Sequence, residues 1–164
     1  MHSVDEHQIS ADKQDEVLIR NAASRILAKR EHSKHELVQK LLTRGFIVSL
    51  VERIADEFAS QNLQSDQRYA ESVLRGALSK GHGPQRISNQ LKLSQVSDDI
   101  KREIIGSTDI DWFELALSVK IKKFGEPVEQ DWHQRQKQQR FLLSRGFNFE
   151  QINFAVTHIT DLDA

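Results

Sequence analysis

The sequence predicts an all-α chain, built from tandem three-helix repeats that form an elongated, modular body. Three observations carry this expectation. Only two prolines and seven glycines occur in 164 residues, and the apolar residues recur at steps of three and four, the period of a helix with one buried face. No stretch alternates as a strand would. The segment Leu41-Leu42-Thr43-Arg44-Gly45-Phe46 also returns nearly unchanged as Leu142-Leu143-Ser144-Arg145-Gly146-Phe147, the mark of an internal repeat.

The first helix is expected from about Val17 to Arg30, with Ile19, Ala23, Ile26 and Leu27 on one face. Ser33 and Glu36 fit a reciprocal capping box, so a second helix opens there; it presents Leu37, Leu41 and Leu42 and stops at Gly45. Ser49 and Glu52 repeat the pattern and are expected to open a third helix through Leu50, Ile54 and Phe58. Asp66 is placed to cap the next helix, through Tyr69, Val73 and Ala77. Gly81-His82-Gly83-Pro84 then breaks it, with Pro84 suited to the first position of a new helix carrying Ile87 and Leu91. Ser97, followed by Asp98 and Asp99 at the positive end of the helix dipole, opens a helix with Ile100 and Ile104. Asp111 with Glu114 starts a helix ending at Phe124-Gly125. A longer linker surrounds Pro127, the next helix covers Gln138 to Arg145, and Asn148 with Gln151 caps the last. Phe147 and Ile152 flank that cap as a hydrophobic staple.

Leu37, Leu41, Phe46, Leu50 and Ile54 correspond to Ile87, Leu91, Val96, Ile100 and Ile104 at a constant offset, which makes the middle repeat weaker in identity but in register. Gln95 stands where the turn of the other copies has glycine. The expected organisation is an acidic, flexible segment 1–16, then repeats over 17–60, 61–108 and 109–164. Helices of about ten residues are marginal alone. They must pack within and between units, as in other repeat proteins.

The formal net charge of −1 hides a difference in sign between the ends and the middle. Asp5, Glu6, Asp12, Asp15 and Glu16 face Lys13 alone at the start, and Asp161 and Asp163 close the chain. Residues 17–160 are left with 22 basic and 17 acidic groups. Such an excess attracts a polyanion, although an ordinary solvated helical surface carries as much. The absence of cysteine excludes disulfides, thiolate metal sites and cysteine nucleophiles. With no apolar signal or spanning segment visible, a cytoplasmic monomer with no membrane contact is expected.

No convergent catalytic group emerges, and neither a cofactor nor a metal is expected. His32 and His35 lie near Glu36, but they straddle the Ser33 cap and are read as solvated flanking residues. Gly81-His82-Gly83-Pro84 lacks the lysine and hydroxyl of a phosphate-binding loop and is read as a helix-to-helix turn. The carboxylates sit at caps or beside basic residues, which gives no support to acid/base catalysis. Trp112 and Trp132 are read as core or staple residues before partner anchors. Arg68, Arg75, Lys80 and Arg86 bracket the middle turn, with Arg68 and Arg75 on one face if a single helix runs through both. This series is either a solvated face next to Glu71 or a surface for a polyanion.

These segments together resemble the RecX family of RecA modulators, over about residues 20–157. The likeness is carried by Asp66-Gln67-Arg68-Tyr69-Ala70, Arg75, Gly81-His82-Gly83-Pro84-Gln85-Arg86-Ile87 and Leu91. In the third repeat it continues through Asp109-Ile110-Asp111-Trp112, Lys123-Phe124-Gly125-Glu126-Pro127 and Gln139 to Phe147. Gln95 and the acidic start depart from the pattern. The resemblance implies a tandem three-helix, non-enzymatic regulator that binds RecA and its filament on single-stranded DNA. It also implies restraint of recombinase, ATPase and coprotease activity in homologous recombination and the SOS response. Arg68, Arg75, Lys80 and Arg86, with Arg140 and Arg145, are the residues expected to meet acidic filament groups or DNA. The alternative is a free-standing nucleic-acid module for single- or double-stranded DNA, with the Gly81 to Pro84 turn as a helix-turn-helix joint and Arg86 on the following helix. A metal-dependent hydrolase ranks last.

Overall fold

The computed structural model describes residues 3–159, and side chains from Asp12 onward. Asp161 and Asp163 of the acidic end lie outside the described residues. These residues form nine helices and no strand: α1 (Ser3–Lys29), α2 (Lys34–Thr43), α3 (Val48–Ser60), α4 (Asp66–Ser79), α5 (Pro84–Leu93), α6 (Asp98–Ile105), α7 (Trp112–Phe124), α8 (Trp132–Ser144) and α9 (Phe149–Thr157). The chain divides into two compact units. One holds the described residues up to Ala70 together with Ser94–Val96; the other holds Glu71–Leu93 and the described residues from Ser97.

In the first unit, α1, α2 and α3 close around Ile19, Ala23, Leu37, Leu41, Val51 and Ile54, all withdrawn from solvent. The expected cap forms: Ser33 Oγ accepts from the Glu36 amide at 3.1 Å, and the Glu36 carboxylate accepts from the Ser33 amide at 3.4 Å. Gly45 ends the turn after α2 at φ +85°. Three expectations are corrected here. The first helix begins at Ser3, not Val17, so from Ser3 the acidic start is helical. Acidic residues near a helix N-terminus favour it, and Glu16 pairs with Arg53 of α3. The Ser49–Glu52 box does not form, because α3 starts at Val48 behind Ile47, which makes no side-chain cap; Ser49 is already inside the first turn. Finally, Ser65 rather than Asp66 caps α4, accepting from the Arg68 amide at 3.2 Å. The Asp66 carboxylate instead accepts from the Lys34 amide at 2.8 Å and satisfies the start of α2.

In the second unit, α7, α8 and α9 bury Ala116, Leu117, Leu142, Phe147, Ile152 and Ala155. The Asn148–Gln151 box is complete, with bonds of 2.9 and 3.0 Å. Asp111 accepts from the Phe113 and Glu114 amides. Helix α8 begins at Trp132 instead of Gln138, because Asp131 caps it through the Gln134 amide at 2.9 Å. Trp132 is consequently 62% exposed rather than core, whereas Trp112 is half-buried and donates through Nε1 to the Ile105 carbonyl. Helices α5 and α6 carry buried Ile87, Leu91 and Ile104 in the positions that the offset assigned to them.

Lys120 of α7 is fully buried, and its Nζ donates to the carbonyls of Gly125 (2.9 Å), Glu126 (3.0 Å) and Pro127 (2.8 Å). Burial lowers its pKa from the usual lysine value, while the charges of Glu126 and Glu129 oppose the shift. Three protons meet three acceptors, so the long linker around Pro127 is tied to α7 by one side chain. Lys120→Met, which keeps the volume and removes the donors, is expected to cost about 3 kcal/mol or more by stranding carbonyls. Lys122→Met on the exposed face is expected to change stability by no more than about 0.5 kcal/mol. Urea unfolding of the two variants checks the contrast.

Candidate polyanion-binding surface

Two turns meet in the second unit. The Gly83 amide donates to the Arg145 carbonyl at 2.7 Å, and the Gln85 amide donates to the Gly146 carbonyl at 2.9 Å. The first-turn amides of α5 thereby find acceptors in the turn between α8 and α9. Gly146, at φ +94°, lies so close to Arg86 that a Cβ there would sit 2.5 Å from the Arg86 Cβ. Arg86 Nη1 donates to the Ser144 carbonyl at 3.2 Å, and Gly81 abuts Val119 of α7.

This docking opens a cleft of about 600 Å³, whose charged lining is Lys80 just after α4, Lys122 and Lys123 from α7, and Arg145 after α8. No carboxylate lines it. Phe141 forms part of the wall: the Arg145 guanidinium lies 5.0 Å from its ring centroid and the Lys123 ammonium 5.8 Å. Cations held over a ring face are placed by the ring as well as by chain geometry. His82 reports the local field. Its pKa is held below the usual histidine value by burial first, then by the positive charges of Arg86, Arg145 and Lys80. A cleft lined by one sign of charge concentrates the opposite ion.

Among the six basic residues singled out in the sequence, the structure brings Lys80, Arg86 and Arg145 together around His82. Arg75 lies on the exposed face of α4 outside the cleft lining. Arg140 lines a separate cleft with Leu143, Phe149 and Ile152. Arg68 belongs to the first unit, where Nε donates to Glu31 at 3.0 Å and the guanidinium also reaches Asn62 and the Leu63 carbonyl. It is engaged as a fastener. Sequence reading missed Lys122 and Lys123. The run Lys120-Ile121-Lys122-Lys123 at a helix C-terminus, where cations are favoured, was the available signal. His32, read as solvated, is 2% exposed. The described residues contain no group of three or more histidine, cysteine or acidic side chains placed to hold a metal ion. They also contain no helix long and apolar enough to cross a membrane.

Short caps and a repeated turn define the class: a tandem three-helix repeat protein, whose second unit carries a cationic cleft without a carboxylate in its lining. Comparison with known proteins narrows the class. Models of the second and third three-helix domains of RecX match residues 65–103 and 109–156. The chain is 39% identical over 139 residues to the Regulatory protein RecX of Chromohalobacter salexigens, covering 85% of this chain and 91% of that one. It is 41% identical over 143 residues to that of Acinetobacter baylyi, covering 87% and 89%. The crystal structure of RecX from Lactobacillus salivarius superposes with a TM-score of 0.73 at 21% identity, over 88% of this chain and 96% of that one. A second crystal structure, of a regulatory protein RecX, reaches 0.77 at 20% identity, over 93% and 78%. The chain belongs to the RecX family.

Proposed function

We propose that this protein binds the RecA filament on single-stranded DNA and restrains its recombinase, ATPase and coprotease activities by contact alone, with no chemistry of its own. Its relatives are named regulatory proteins. The observation that carries the reading is the cleft of Lys80, Lys122, Lys123 and Arg145, whose charge has no acidic counterpart in the lining. Lys80 and Arg145, from the sequence-based set, act at this cleft, and Arg86 stands beside it, bonded to the Ser144 carbonyl. Arg75 and Arg140 stand as peripheral contacts, and Arg68 holds the first unit together. Several modest contacts along one chain act jointly on a repeating filament through effective concentration.

The helix-turn-helix alternative is less well supported. A recognition helix reads DNA with its N-terminal residues, yet at that end of α5 Gly83 and Pro84 are buried and the Gly83 and Gln85 amides are bonded to the turn at Arg145 and Gly146. The test is DNA-dependent ATP hydrolysis by preformed RecA filaments during titration with the full chain. A saturable fall in hydrolysis is expected. Unchanged hydrolysis with the protein bound to bare DNA alone would return the alternative.

A further inference from the structure

The first unit carries a second cationic cleft, and a buried polar atom of one lining residue has no partner. The cleft, of about 440 Å³, is lined by Ile26, Lys29, Arg30, His32, Lys40, Thr43 and Arg44. Lys29 and Arg30 come from the end of α1 and the residue after it; Lys40, Thr43 and Arg44 come from the end of α2. Arg30 is shared with Glu36, its Nη1 lying 3.0 Å from that carboxylate. Among the described residues, Lys29, Lys40 and Arg44 have no ion-pair partner.

His32 sits against these cations and is 2% exposed. Its Nδ1 lies 2.9 Å from the Arg30 carbonyl, which can only accept, so Nδ1 carries the proton. Nε2 is buried without any hydrogen-bond partner. A buried polar atom left unpaired is costly, and in a neutral ring this one is a lone pair surrounded by positive charge. Protonated, it becomes a donor, and an anion in the cleft supplies both the acceptor and the charge that protonation needs.

Parts of the arrangement have counterparts later in the chain. Arg30 and His32 are followed fifty residues later by Lys80 and His82, at the end of the first helix of the next repeat. Arg44 before Gly45 corresponds to Arg145 before Gly146. Both clefts draw a cation two residues before a histidine and an arginine from a turn between a second and a third helix, although the first takes both from one repeat with His32 in its lining and the second takes them from two successive repeats with His82 outside it. Recurring cationic sites along a repeat protein suit a polymer with one negative charge per residue, and arginine with lysine suits phosphate oxygens.

We propose that the cleft of Lys29, Arg30, Lys40 and Arg44 binds a backbone phosphate of single-stranded nucleic acid, with His32 Nε2 taking up a proton from solvent to donate to it. The site is separate from the cleft on which the RecA reading rests, and it requires no RecA.

The sign of the pH dependence follows from the groups that face His32. Burial lowers its pKa first; Arg30 and Lys40 lower it further, while Glu36 and the bond to the Arg30 carbonyl raise it. The free site is thus deprotonated at neutral pH, and a bound phosphate raises the pKa. Affinity should rise as pH falls through the histidine range, by at most about tenfold per pH unit for one proton.

The experiment uses the full chain, a fluorescent twenty-residue oligothymidylate and histidine-ring NMR, without RecA. We expect the oligonucleotide to shift the His32 ring signals and raise its pKa, and binding to tighten from pH 8 to 6. Lys40→Ala with Arg44→Ala should weaken binding about tenfold and lower the salt slope by about 1.4, the value for two phosphate contacts on a single strand. His32→Asn, which keeps a donor for the Arg30 carbonyl, should remove the His32 share of the pH dependence. Unshifted His32 signals, or wild-type affinity in the double variant, overturn the proposal. So do equal shifts with oligoglutamate, which assign the cleft to an acidic peptide, or shifts with inorganic phosphate alone, which assign it to a free anion.

Discussion

Alanine at Gly146 is expected to lower the stability of the second unit by about 2–5 kcal/mol, while alanine at the equivalent Gly45 costs about 1–2 kcal/mol. The two glycines occupy the same place in repeats three and one, and both are left-handed, at φ +94° and +85°. Each substitution therefore meets the same backbone penalty, about 1–2 kcal/mol for an L residue. They differ in what surrounds them. A Cβ on Gly45 finds nothing within 4 Å, whereas one on Gly146 meets the Arg86 Cβ at 2.5 Å and its amide nitrogen at 2.7 Å. Backbone cannot yield as a side-chain tip can, so the turn at Gly83 must lift away and surrender its two amide bonds to Arg145 and Gly146. Gly83→Ala approaches the same contact from the other side, 2.5 Å from the Gly146 carbonyl oxygen, without a positive φ, and should cost about 1–3 kcal/mol. Thermal unfolding of the three variants gives the comparison. At about 4–8 °C per kcal/mol for a domain of this size, Gly146→Ala should melt at least about 8 °C below wild type. Equal losses at Gly45 and Gly146 would mean that the turns do not dock in solution.

The repeat was legible because its markers are local. A capping box spans four residues, and a left-handed turn needs one glycine, so Ser33–Glu36, Asn148–Gln151, Gly45 and Gly146 could be placed from sequence. Gln95 tests the limit. It has no glycine's freedom, yet it sits at φ 55° in register with Gly45, which shows that packing of the flanking apolar positions overrides the local preference. Gln95→Gly should accordingly stabilise the chain by about 0.5–1 kcal/mol.

Other features are set by partners distant in sequence. Ser49–Glu52 has the letters of a box but lies inside a helix that starts earlier. The stretch Trp132 to Lys137 has no apolar residue after its tryptophan, so it carries no helical stripe and the start of α8 escaped notice. Arg68 looked like a free surface cation because Glu31, which holds it, is 37 positions away. The cleft was half legible for the same reason. Lys80 and Arg145 were marked, but Lys122 and Lys123 join them only through the docking of two turns, which no spacing reports.

Reversal of three cleft lysines, Lys80→Glu with Lys122→Glu and Lys123→Glu, is expected to raise the concentration needed for half-inhibition of RecA-filament ATP hydrolysis by about a hundredfold. Each lysine is exposed and forms no ion pair among the described residues, so the fold loses little. At the partner's surface each reversal removes an attraction and adds a repulsion, about 1 kcal/mol per site, and three sites together give about two orders of magnitude. Arg145 is left intact because it is half-buried and its guanidinium lies closer to the Phe141 ring, at 5.0 Å from the centroid, than the exposed Lys123 ammonium at 5.8 Å. Arg75→Glu is the matched control: it is exposed and of the same sign, but lies outside the cleft lining, and its effect should stay within about threefold. The neutral set, Lys80→Gln with Lys122→Gln and Lys123→Gln, separates charge from shape. If the cleft meets phosphates of the filament's single strand, this set should lower the salt slope of binding by about 2. If it meets carboxylates of RecA, affinity should fall with a smaller change in slope, since few condensed counterions are released. A triple reversal that inhibits like wild type while Arg75→Glu abolishes inhibition would move the contact from the cleft to the outer face of α4.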